Sequence, residues 1–380
     1  MTAFRLTLIA ALMAGSLAAR AEVSPQAVAE HYASVVHANY VDTLGAARTL
    51  QAAVNALNAN PSEETLAKAR ESWLAAREWY GQTEAFRFYS GPIDGETGPE
   101  GQINAWPMDE AYVDYVKGKN KAGIINNPKA KLTREALIGL NEKGGEENIS
   151  TGWHAIEFVL WGQDLSKTGP GARPASDFID GKGQNAERRR TYLKLVTDLL
   201  VDDLAGLAQA WAPNAKNYRA GFVADKEAVQ KMLTGIGVLS RGELAGERIE
   251  VALASKSQED EHSCFSDNTH RDVVTNAKGI QNVWEGSYTR ADGSVLKGAS
   301  LRELVAVKDA KLAEKTSADI ANSVKLAEEI KAPFDQEIVG KDSAPGRKRV
   351  RAVVDALKKQ ATDLVNAAKA LGIKNLNTNV

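Results

Sequence analysis

Apolar residues recur at helical spacing from soon after the N-terminus. Over residues 27–60 they fall at Val28, Tyr32, Val35, Val36, Tyr40 and Leu44, one face of a 3.6-residue repeat. Pro61-Ser62-Glu63-Glu64 then ends this helix and starts another, with Ser62 placed as N-cap. The second helix is expected to run to about residue 88. On it Trp73, Arg77, Tyr80, Glu84 and Arg87 form one stripe, at spacings of four, three, four and three. Polar residues within an aromatic stripe predict a polar line facing inward. For Arg77 an ion pair with a glutamate of its own helix is expected, and Glu84 is the better candidate ligand. Further helices are predicted over 109–116, 133–140, 186–212, 226–255, 270–284, 301–332 and 347–371. No convincing strand alternation occurs, so the chain reads as all-α.

The segment 152–162, Gly-Trp-His-Ala-Ile-Glu-Phe-Val-Leu-Trp-Gly, is almost wholly apolar apart from His154 and Glu157. As a helix it sets these two on one face, three residues apart. Burying either alone is costly. The spacing suits joint metal coordination, a His–carboxylate relay, or a hydrogen-bonded pair that ties helices together. Before it lies a Gly/Pro-rich loop over 90–107, with Asp94 and Asp109 near its ends; loops of this length inside compact domains are often functional. Asp94 is expected in a solvated turn, and Asp109 is a candidate ligand beside Trp106-Pro107-Met108.

In the helix predicted over 226–255, Gly235, Gly237, Gly242 and Gly246 each cost about 1 kcal/mol against alanine, which argues for close backbone packing or room for a bound group. Glu243, Glu247 and Glu250 fall on one face there, and Glu243 is the candidate ligand among them. The stretch 258–270 holds His262 and His270, with Asp267 three residues before His270. A second metal site is one reading of it; a hydrogen-bonded loop bracing two halves is the favoured one. Cys264 has no partner and is expected to be buried and inert.

With 380 residues, 43% hydrophobic and 25% charged, the chain is long enough for two domains. A net charge of −2 gives no basic footprint for nucleic acid. The single cysteine excludes an intramolecular disulfide framework and any multi-cysteine metal site. Arg5, the apolar run over 6–19 and Ala19-Arg20-Ala21 form a cleavable export signal over 1–21. The run is too short to span a bilayer, and no transmembrane segment is expected in the mature chain. The expected organisation is an N-terminal helical lobe over 22–215 and a C-terminal one over 216–380. Residues 154–162 align without gaps to 278–286, with Ile, Val and the terminal Gly coinciding. An internal duplication would put Lys278 and Gln281 at the places of His154 and Glu157.

The G-x-H-x-x-E segment, Ser90-Gly91-Pro92-Ile93-Asp94-Gly95, residues 103–112, Gly242-Glu243-Leu244-Ala245-Gly246-Glu247-Arg248 and residues 261–267 resemble, in order, the imelysin-like family. That family includes the iron-regulated protein A group and is classed with the M75 peptidases. The resemblance implies an exported protein of two similar helical-bundle lobes with a site around His154 and Glu157, near where they meet. By motif position Glu84 and Asp109 match carboxylates proposed as ligands in related iron-uptake proteins, with Glu243 a looser match. The expected metal set is His154, Glu157, Glu84, Asp109 and Glu243, an oxygen-rich group suited to hard cations, divalent or trivalent. The leading expectation is a periplasmic protein that binds a metal ion or small metal complex, iron favoured, for uptake or homeostasis. The alternative is an M75-type zinc peptidase with Glu157 as general base, although no H-E-x-x-H helix is present. A third is a partner-binding protein of the cell envelope, where peripheral outer-membrane association is allowed.

Overall fold

The structure is a computed structural model and describes residues 23–379; the expected export signal over 1–21 lies outside them. The helices begin where local chemistry starts them. Ser24 caps α1 (Pro25–Ala59) through Ala27 N–H, and Pro25 opens its first turn. Ser62 caps α2 (Glu63–Thr83) in a reciprocal exchange with Thr65. A short 3₁₀ turn, Glu84–Phe86, extends α2 and carries Glu84 inward. The other principal helices are α3 (Gly152–Trp161), α4 (Ala186–Ala210), α5 (Ala228–Val238), α6 (Thr269–Glu285), α7 (Ala310–Glu328) and α8 (Pro345–Ala370). The chain is all-α.

Three local expectations need correction. The loop after α6 contains a small antiparallel hairpin, Ser287–Thr289 with Val295–Lys297. The helix expected over 301–332 is two helices, Leu301–Ala306 and α7, because Asp309 accepts from Leu312 N–H and caps a new start. The helix expected over 226–255 is α-helical only at its ends. Its middle, Leu239–Glu250, is π-helical, closing with Val251 N–H on Gly246 O, five residues back.

Helix α1 packs along α2 and α4, and α3 sits between α2 and α4. The second group is built from α5 with its π-helical continuation, α6, α7 and α8. The groups meet chiefly where α2 lies against α6. Helix α1 also reaches the second half: His31 Nε2 lies 2.9 Å from Gly286 O, and Asp42 accepts from Tyr288 and Arg290. A duplication of the chain is not shown by this arrangement. The segment 154–162 is buried throughout, whereas Lys278 sits half-exposed on α6, paired with Glu328 at 3.1 Å.

The α2–α6 contact depends on glycine. A Cβ at Gly279 would stand 2.4 Å from the Gln82 carbonyl oxygen. In a free helix Gly279→Ala would gain about 1 kcal/mol. Here the backbone-to-backbone clash outweighs that gain, and we expect a net loss of about 1–3 kcal/mol. Urea denaturation of G279A checks this; stability equal to the wild type would show that the helices have room to part.

Candidate functional site

Helix α3 is held from all sides. Gly152 starts it with φ 85°, and a Cβ there would meet Ile103 O at 2.3 Å. Only glycine allows the helix to press onto the backbone of Gln102 and Ile103, next to Asn104, whose Nδ2 lies 3.5 Å from His262 Nε2. Trp73 Nε1 donates to Trp153 O at 3.0 Å, and Arg70 donates twice to Leu160 O at the other end, at 3.0 and 2.8 Å. Within this frame His154 Nδ1 lies 2.9 Å from Glu157 Oε2, both side chains fully buried. Glu157 Oε1 accepts from Ser266 N–H at 2.9 Å and Ser266 Oγ–H at 2.6 Å. Burial pushes the Glu157 carboxyl up to about 8, against the pull of Ser266. Burial, then His262 and Arg77, push the His154 imidazole well below its ordinary value. His154 Nε2 is buried with no hydrogen-bond partner.

The His262 ring packs edge-on to His154, with centroids 4.7 Å apart, and Trp106 covers His154 at 4.9 Å. His262 repeats the arrangement of His154, with Nδ1 3.2 Å from Asp272 Oδ2. Its Nε2 has only a long contact of 3.5 Å to Asn104 Nδ2. Burial and the Arg248 charge lower the His262 imidazole to about 4. Asp272 also accepts from Arg77 at 3.0 and 3.2 Å and from Ser263 Oγ–H at 2.5 Å. Burial would raise its carboxyl, but Arg77 and His262 outweigh it and hold Asp272 far below the ordinary range. Arg77 is therefore bonded across to α6 and does not form the expected pair within its own helix.

Asn104 carries the network onward, accepting from Arg77 NH1 at 2.7 Å and donating to Glu84 Oε1 at 3.2 Å. Glu84 Oε2 accepts from Arg87 at 2.6 Å and Arg248 at 2.7 Å. Arg248 also reaches Glu243 Oε1 at 2.7 Å, and Arg87 reaches Glu100 at 3.0 Å. Burial pushes Glu84 and Glu243 upward, but Arg248 and Arg87 outweigh it and leave both below the ordinary range. Of the five candidate residues, Glu84 and Glu243 thus belong to one hydrogen-bonded network with Asn104, Arg77, Asp272 and His262, and the His154–Glu157 pair adjoins it through the ring contact of His154 with His262. Asp109 stands outside it. It is exposed and caps the short helix Glu110–Val113 through Ala111 N–H. Among the described residues no three His, Cys, Asp or Glu side chains are already grouped so as to hold a metal ion.

The acidic face expected from Glu243, Glu247 and Glu250 is not formed. Five-residue π turns direct Glu243 inward, leave Glu247 exposed and set Glu250 on Arg351 and Lys358 of α8. The 258–270 loop does brace the two halves, through Ser266 on Glu157 and Phe265 O accepting from Gly171 N–H. Cys264 is buried, and burial raises its thiol. Asp94 accepts from Phe88 N–H and Gly91 N–H, closing the turn between them. Asn104, Ser266, Arg248 and Asp272 are site residues that the sequence did not single out. The first three lie inside quoted motifs, and only Asp272 lay beyond any local signal.

The imelysin profile, peptidase M75, matches residues 36–364. The chain belongs to the imelysin family. It is similar to iron-regulated protein A of Synechococcus elongatus, with 24% identity over 364 residues, covering 94% of this chain and 91% of that protein. Its fold matches a crystal structure assigned as an iron-regulated protein A precursor from Parabacteroides distasonis, with TM-score 0.71 and 19% identity over 93% of this chain and 97% of the other. It also matches an imelysin-like protein from Psychrobacter arcticum, with TM-score 0.62 and 14% identity over 91% of this chain and 96% of that one. As in the sequence-based expectation for this imelysin-family chain, no helix among the described residues is long and apolar enough to cross a membrane.

Proposed function

We propose that this imelysin-family protein binds a metal ion, iron favoured, in the cell envelope through the network centred on His154. The observation that carries the reading is the buried, partnerless His154 Nε2, on a ring oriented by Glu157. Carboxylate–imidazole pairing of this kind orients metal-binding histidines. His262, oriented by Asp272, puts a second weakly engaged Nε2 beside it. The donors fit a cation in kind: His154 Nε2 and His262 Nε2 would supply nitrogen, and Glu84, with Glu243 behind it, hard oxygen once a guanidinium now held on it gives way. A bound iron ion would be cargo and a Lewis acid. Glu157 acts as the positioning carboxylate, because both of its oxygens are already engaged. The same engagement disfavours Glu157 as the general base of a zinc peptidase. Two proton arrangements suit the pair. With Glu157 protonated, Oε2 donates to Nδ1 and Nε2 keeps the ring proton. With Glu157 ionised, Nδ1 donates and Nε2 is a bare lone pair, the form a cation selects.

Export rests on the sequence over 1–21, and a role in iron handling on the name carried by the Synechococcus relative. Elemental analysis of the purified mature protein, beside a His154→Ala/Glu157→Ala variant, tests the reading. Stoichiometric iron that disappears in the variant is expected. No bound metal, and no affinity for added Fe²⁺ or Mn²⁺, would overturn it.

A further inference from the structure

The carboxylates best suited to a hard cation are already neutralised by the protein's own cations. Arg248 NH2 lies 2.7 Å from Glu84 Oε2 and 2.7 Å from Glu243 Oε1, with Nε 3.0 Å from the same Glu243 oxygen. Its NH1 is anchored on Asn276 Oδ1 of α6 at 2.9 Å. The guanidiniums on Glu84, Glu243 and Glu100 are those of Arg87 and Arg248, three carboxylates around two cations, with Asn104 also donating to Glu84 Oε1. Two carboxylates converging on one buried positive group form a cation cage whose occupant is a side chain.

The backbone beneath this cage is unusual. Glu243 and Arg248 are five residues apart within the π-helical stretch Leu239–Glu250. In an α-helix five residues advance the chain to about 140° around the axis, so the two would face apart. Closing turns over five residues brings them together, and π turns cluster at functional sites. The pairing of Glu243 with Arg248 therefore depends on the π-helical register of this stretch.

We propose that Arg248 is a built-in competitor for the metal ion. Its guanidinium holds the place between Glu84 and Glu243 that a captured cation takes, and capture requires its withdrawal. The proposal rests on the metal reading above. It assigns the π-helical stretch as the latch: while Arg248 is seated, the carboxylates are satisfied and the site binds weakly, and the apparent affinity is reduced by the fraction of molecules in which Arg248 has left.

The test uses Mn²⁺ as an air-stable probe, with calorimetric titration and metal-dependent melting temperature on the mature protein. Arg248→Gln is expected to bind Mn²⁺ about tenfold more tightly than the wild type or better, and to show a larger rise in melting temperature on Mn²⁺ addition. Guanidinium ion added to R248Q is expected to compete with Mn²⁺ and restore weak binding, which a purely structural role for Arg248 would not produce. Should R248Q fail to fold, Arg248→Lys, which keeps the charge but loses the forked contact, is expected to bind Mn²⁺ severalfold more tightly. Wild-type binding that is unchanged or weakened in R248Q, or in R248K if that is the variant that folds, overturns the competitor role and leaves the metal reading standing. No Mn²⁺ binding by the wild type or by either Arg248 variant overturns both. Binding by a variant alone supports the competitor.

Discussion

Replacing Arg77 with Met is expected to cost about 3–5 kcal/mol of folding stability, the range for breaking a buried ion pair from one side. The guanidinium is fully buried, 5.3–5.8 Å from the rings of Trp73, Tyr80 and Trp153. It donates to Asp272 twice and to Asn104 once. Without it Asp272 stays buried, with Ser263 and His262 as its remaining partners. Methionine fills much of the volume but supplies no charge, so the loss is electrostatic more than steric. Two further results separate this account from simple misfitting. Adding Asp272→Asn to Arg77→Met removes the stranded charge and is expected to recover part of the loss, a coupling that a double-mutant cycle reads directly. The His262 imidazole is expected to titrate at higher pH in Arg77→Met, because Arg77 now lowers it; NMR of the ring protons measures this. Urea denaturation showing a loss below about 1 kcal/mol would mean that Arg77 does not hold α2 to α6.

The same contact shows what the sequence could reveal. Helix starts were legible, because caps such as Ser62 are local chemistry and the exchange with Thr65 spans three residues. The pair His154–Glu157 was legible for the same reason: an i, i+3 spacing on an apolar helix has few geometric outcomes. Glu84 was legible as a polar member of an inward stripe. What it meets was not, because Arg248 lies 164 residues away and Asp272 lies 195 residues from Arg77. The π-helical stretch was half-legible. Glycines at 242 and 246 marked it as costly for an α-helix, but α periodicity applied to a five-residue turn put Glu243, Glu247 and Glu250 on a common face that does not exist. Asp109 misled in the opposite way. An acidic residue beside a Trp-Pro hinge has the composition of a ligand, and here its carboxylate serves the first turn of a four-residue helix.

Glu157→Gln is expected to change stability in a strongly pH-dependent way. Burial holds the Glu157 carboxyl at about 8 in the folded protein, whereas in the unfolded chain it titrates near its ordinary value, about 4.3. A group with a raised folded value contributes stability that is fully present below the unfolded value and is lost as pH rises through the folded one. Between about pH 5 and pH 8 the wild type therefore gives up roughly 1.4 kcal/mol per pH unit through this residue, about 4 kcal/mol in all. Glutamine does not titrate, so E157Q escapes that loss. At pH 5 the variant is expected to be close in stability to the wild type, because its amide Nε2–H can donate to His154 Nδ1 as the protonated carboxyl does while its Oε1 keeps the Ser266 donors. As pH rises, the variant gains on the wild type by up to about 4 kcal/mol by pH 8. His154 is in contact with Glu157, so its own titration is coupled to the pair, and only the wild-type-minus-variant difference isolates the carboxyl. Other raised carboxyls, Glu110 and Asp267 at about 7 each, act equally on both proteins and cancel in that difference. Paired urea denaturations at pH 5, 6.5 and 8 measure it. A stability difference that stays constant across this range would show that Glu157 is ionised throughout and that the three donors on its carboxylate outweigh burial.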